Sequence, residues 1–151
     1  MDSLPLLVGR TARRSPAAIA LVEAEHRLSY AAFWQRARAF AGRMRDMGLQ
    51  PGERVAILLP NGIDAAVAIY GTWRAGGVVV PLNAQARHRD LVPWLRHCEA
   101  RVLLHQAGHA DAVSAAQDIG PSLQCLVSGS LAWPAHDTPT DDADEAGPPP
   151  P

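Results

Sequence analysis

The chain has 151 residues, 48% of them apolar and 19% charged, which is the composition of one ordinary soluble globular domain. All 14 basic residues are arginine, and they are unevenly placed: residues 1–101 carry +6, whereas residues 102–151 carry −7 and no base. Cys98 and Cys125 are too far apart for a zinc knuckle or a redox pair and fit free thiols in a reducing compartment. No apolar run has signal-peptide form or approaches a membrane span, since Asp64 and Arg74 limit the most apolar stretch.

In chain order, Pro5 to Ser15 predicts a short helix that ends before Pro16, and Ala17–Val22 with Arg27–Ser29 predicts a hairpin turning through residues 23–26. Tyr30 to Met47 has helical periodicity: Phe33, Ala37, Phe40, Ala41 and Met44 share one face, and Arg36, Arg43 and Asp46 lie away from it. Ser29 suits its N-cap and Gly48 its C-terminal stop. Its apolar face is largely alanine, too small to hold the helix on a lipid surface.

Arg54–Leu59, rich in Val, Ile and Leu with little polar alternation, reads as a strand buried on both faces. Val78–Val80 reads the same way. Between them, Pro60-Asn61-Gly62 is a turn and Ile63 to Ala75 an apolar helix with no polar face, expected to lie between the sheet and other protein. Asn61 is the expected cap of that helix or a residue facing a pocket. Gly76-Gly77 precedes a strand, so it predicts close packing of a turn and no phosphate cradle.

A helix over Arg87–His97, a strand over Arg101–Leu104, a helix over Ala110–Asp118 closed by Gly120-Pro121, and a strand over Leu123–Val127 follow. The alternation predicts an α/β fold: a mostly parallel sheet flanked by helices, with right-handed crossovers. From Ser128 onward, Asp137, Asp141, Asp142, Asp144 and Glu145 among Pro, Thr and Ala, followed by four prolines, predict a disordered acidic linker. The domain division is therefore 1–127 and 128–151.

Three blocks in order, Leu28-Ser29-Tyr30, Gly48 to Asn61 (GLQPGERVAILLPN) and Trp73 to Asn83 (WRAGGVVVPLN), resemble the amino-terminal portion of the adenylate-forming superfamily. That superfamily comprises the AMP-dependent acyl- and aryl-CoA synthetases, the firefly luciferases and the adenylation domains of nonribosomal peptide synthetases. The resemblance runs from about Leu7 to about Val127. It implies a reaction in which ATP and Mg²⁺ convert a carboxylate to an acyl adenylate, from which CoA takes the acyl group.

The resemblance also implies what these residues lack. The family's phosphate-binding loop, rich in Ser, Thr and Gly and ending in Lys-Gly, does not occur in them. The lysine that the family uses to stabilise charge during adenylation has no counterpart in a chain without lysine. No catalytic, cofactor-binding or metal residue is therefore named, and ATP, Mg and CoA are implied only for the full-length enzyme.

Other constellations carry less. His105 and His109 are four apart with His97 and Cys98 upstream, but Gly108 breaks the helix such a pair needs and no acid is placed behind them; surface histidines at loop junctions are the expectation. No serine sits in a nucleophile elbow, and no acid pair stands out for proton transfer. The arginines are spread over several helices without interleaved aromatics, which does not favour nucleic acid.

The expected function is that of an amino-terminal fragment of an AMP-forming fatty or aryl acid–CoA ligase, cytoplasmic, inactive without the carboxy-terminal remainder that would be its partner and would complete the pocket for the carboxylic acid. The rival is a non-catalytic interaction module, or a subunit of a split enzyme that pairs with a separately encoded remainder through apolar surface on the helix at Ile63–Ala75.

Overall fold

The structure, a computed structural model, describes residues 3–130. Helix α1 (Leu4–Arg14) is followed by strands β1 (Ile19–Glu23) and β2 (His26–Ser29), which form an antiparallel hairpin, and by α2 (Tyr30–Asp46). Next come β3 (Arg54–Leu58), α3 (Ile63–Arg74), β4 (Val78–Pro81), α4 (His88–Cys98), β5 (Ala100–His105), α5 (Ala110–Ile119) and β6 (Gln124–Val127). Strands β3 to β6 make one sheet in the order β4-β3-β5-β6, with every pairing parallel.

Side chains alternate across this sheet as a strand requires. Val55, Ile57, Val102, Leu104 and Leu126 face a layer containing α2 and α3, while Ala56, Leu58 and Leu103 face α4 and α5 through Leu91, Leu95, Ala112 and Ala115. Burial on both faces is why β3 and β5 contain so few polar residues. The result is a sheet sandwiched between two helical layers.

Local chemistry sets the element ends. The Ser29 hydroxyl accepts from Ala32 N (3.2 Å) at the start of α2, and Gly48, at φ +81°, follows its last turn. All five residues of the α2 apolar face are buried, and Trp34, one position off that face, is buried too, under Gly9 of α1. Gly77 is required by close approach: a Cβ there would lie 2.9 Å from both Leu49 Cδ2 and Thr72 Cγ2.

Two expectations are corrected. Strand β4 is not buried on both faces; it is the sheet's edge, with Val78 46% exposed, because β-branched composition reports strand preference and not position within a sheet. Helix α3 is covered within the chain itself, its second side taken by α2: Gly71 approaches so closely that a Cβ would lie 2.8 Å from Ala37 O. Phe33, Tyr70 and Trp73 continue that seam in two edge-to-face contacts with ring centroids 5.2 Å apart. Ser128–Ser130 form a single 3₁₀ turn after β6, and residues 131–151 of the expected linker lie outside the described residues.

Candidate functional site

In an open parallel sheet, ligands bind beyond the carboxyl ends of the strands where the chain reverses its direction of strand addition. Here the chain goes from β3 to β4 on one side and then to β5 on the other, so the reversal lies between β3 and β5. A crevice of about 140 Å³ opens there, lined by Leu59, Pro60, Gly62, Gln106 and Ser128 together with the acids Glu23 and Asp64.

Glu23 arrives from the hairpin, at the end of β1. Its carboxylate accepts from Ile63 N (3.1 Å), the first amide of α3, and lies so close over Gly62 that any Cβ there would collide with it. This changes the expected role of Asn61, which is exposed and caps nothing; the N-cap residue is Gly62, and the capping oxygen comes from 40 residues earlier. No local pattern could have announced that contact.

Asp64, in the first turn of α3, completes an acidic pair. Burial holds its carboxyl above the usual carboxylate range, the neighbouring Glu23 charge pushes the same way, and Arg36 opposes both. Two carboxylates at this end of α3 repel phosphate, and one already occupies the amide that phosphate would use. The crevice is also smaller than the roughly 300 Å³ at which small-molecule pockets begin. These residues do not fit a nucleoside triphosphate.

The opposite, amino-terminal edge of the sheet carries a larger groove, of about 750 Å³, with Arg54, Arg96 and Arg101 on its walls. Their guanidinium groups serve helix and strand ends. Arg54 donates to Cys98 O (2.6 Å) and to the Glu99 carboxylate (3.2 Å), Arg96 to Asp118 O (3.4 Å) and Arg101 to Ser122 O (3.2 Å). Arginine at helix C-termini satisfies orphan carbonyls, and that is the work seen here.

The histidines expected at loop junctions divide. His109 caps α5, its Nδ1 accepting from Ala112 N (3.2 Å) and its Nε2–H donating to Ala84 O (3.2 Å). His105, the last residue of β5, is buried and not at the surface, and its Nδ1–H donates to Gln106 O (2.8 Å). Among the described residues no group of three or more His, Cys, Asp or Glu is placed to hold a metal ion. Within the same residues no helix is long and apolar enough to cross a membrane.

Residues 8–151 match the family described as AMP-binding enzyme. The chain belongs to that family. It is 34% identical over 102 residues to the 2-hydroxy-7-methoxy-5-methyl-1-naphthoate–CoA ligase of Streptomyces carzinostaticus, covering 68% of this chain and 18% of the ligase. It is 37% identical over 106 residues to a feruloyl-CoA synthase of an Amycolatopsis species, covering 70% of this chain and 22% of the synthase.

The benzoate CoA ligase of Burkholderia xenovorans LB400 shares the fold with a TM-score of 0.76 at 24% identity, over 84% of this chain and 26% of that ligase. The chain thus has the amino-terminal architecture of adenylate-forming enzymes, and it spans about a fifth of the length of these two curated relatives. Full-length members of the family work with ATP, Mg²⁺ and CoA.

Proposed function

We propose that these 151 residues are the amino-terminal scaffold of an AMP-forming carboxylic acid–CoA ligase, and that by themselves they do not adenylate. Residues 1–127 are the partial subdomain and 128–151 the segment that links it onward. The carboxyl-edge crevice supports this most directly: at the position where a sheet of this topology offers a ligand site, Glu23 and Asp64 present negative charge to any phosphate. The absence of lysine from the chain supports it further.

The acid is an aryl carboxylate in preference to a fatty one, in keeping with the naphthoate and ferulate named for the two relatives at 34% and 37% identity. The protein works in the cytoplasm, where free thiols such as Cys98 and Cys125 persist. Its partner is the remainder of the enzyme, which supplies the nucleotide and carboxylate pockets. The rival reading, a free-standing interaction module built on α3, loses its main support because α2 covers that helix.

ATP–pyrophosphate exchange with a panel of benzoic, cinnamic and medium-chain fatty acids tests the proposal. The expected outcome is no exchange by the 151 residues and exchange with aryl acids once the chain is joined to a family carboxy-terminal remainder. Exchange catalysed by the 151 residues unaided overturns it.

A further inference from the structure

The two edges of the parallel sheet differ in what they offer a further strand. At β4, Val78 N donates to Glu53 O (2.8 Å) and Leu82 N to Ile57 O (2.9 Å), so residues 78, 80 and 82 turn their backbone groups toward β3, and residues 79 and 81 turn theirs outward. Residue 81 is proline and has no N–H, so the outward donor of this strand is Val79. A strand laid against β4 would take one bond from it and then meet the proline ring. Although Val78 is exposed there, proline in an outward position closes an edge to pairing.

Strand β6 is the other edge among the described residues, and its sequence, Gln124 to Val127, contains no proline, glycine or charge. Alternate residues of such a strand turn their N–H and C=O away from the paired neighbour. Leu126 is buried under the α2–α3 layer, but Cys125, on the opposite face beside Leu103, is exposed. The helical layer on that face therefore stops short of the sheet's edge.

The helix at that margin is apolar on its open flank. Asp111 and Asp118 of α5 meet His88 of α4, and α4 in turn reaches β3, where Arg54 donates to Cys98 O. Val113 lies on the opposite side of α5 at 100° per residue, points beyond β6 and is 46% exposed. Chain order points the same way. After its reversal the chain adds β5 and then β6 in one direction, and consecutive strands in a sheet are usually neighbours. About four-fifths of a ligase such as the two relatives is still to be placed.

We infer, resting on the scaffold reading above, that the remainder of the enzyme docks on β6 by adding a strand to its outer edge, and that β4 stays the outer edge of the completed sheet. The added strand exchanges backbone hydrogen bonds with β6, and the structure that flanks it covers Val113 and Cys125.

Hydrogen exchange read by mass spectrometry tests this on the 151-residue chain and on the same chain joined to a family carboxy-terminal remainder, with ATP–pyrophosphate exchange measured on the joined protein. On joining, exchange at β6 should slow by about tenfold or more while β4 is unchanged, with β3 and β5 slow in both proteins. Alkylation of Cys125, followed on its own peptide, should slow in parallel. Unchanged β6 exchange in a joined protein that activates aryl acids overturns the inference and leaves the scaffold reading standing. Slowed β6 exchange in a joined protein that activates none does the reverse, and unchanged exchange in an inactive one counts against both. Slowing at β4 in place of β6 overturns the inference. So does β6 exchange already as slow as that of β3 in the 151-residue chain, which would mean that the chain itself or a second copy holds the edge.

Discussion

Asp111 at the start of α5 and Asp64 at the start of α3 are shifted in opposite directions, so their titrations carry opposite signs. Asp111 accepts from His88 N (3.0 Å) at the start of α4, and that hydrogen bond, with Arg87 beside it, holds its carboxyl below the usual carboxylate range. A lowered folded-state value means stability that is present above the unfolded value, about 3.9, and lost as pH falls through the folded one. Asp111→Asn should therefore lower the urea midpoint at pH 7 and leave it unchanged near pH 2. Asp64 runs the other way, since its raised value favours the neutral form in the folded state, an advantage present below the unfolded value and lost as pH rises through the folded one. Glu23→Gln removes one of the two charges at the amino end of α3, so the Asp64 midpoint, followed by carboxyl carbon NMR, should move down. An unmoved midpoint would show that the Glu23 charge does not contribute.

At the scale of elements, the α2–α3 seam depends on one missing side chain. A Cβ on Gly71 would lie 2.8 Å from Ala37 O and from Phe40 Cβ, backbone and ring-bearing atoms with no room to withdraw. Gly71→Val should cost about 1–3 kcal/mol by overpacking, read from urea denaturation. Across the sheet, Leu91→Ala opens a cavity under α4 and should cost about 2–5 kcal/mol by the same measurement. These elements were largely legible in the sequence, because apolar runs, turn residues and helical periodicity are local signals. The expected α4 was displaced by one residue, and β5 runs one residue further at each end. What composition left hidden was the position of each element among its neighbours. It could not tell that β4 is an edge, that α2 covers α3, or that Glu23 would cap a helix 40 residues away. The site was the least legible part, since its two acids belong to a hairpin and a helix that only the tertiary fold brings together.

On the scale of the whole molecule, protection should be graded across the sheet. The amides of β3 and β5, paired on both sides and buried, should exchange slowest in deuterium exchange; those of β4 and of the β1–β2 hairpin should exchange first. Uniform exchange rates across the sheet would mean that it does not open strand by strand.

The strand order has a further meaning for a polypeptide made from its amino terminus. The central strand β3 is synthesised before any of its neighbours, and β4, β5 and β6 each find a partner already translated when they emerge. Nothing in this sheet has to wait for a distant segment, so it can be laid down in the order in which the ribosome delivers it.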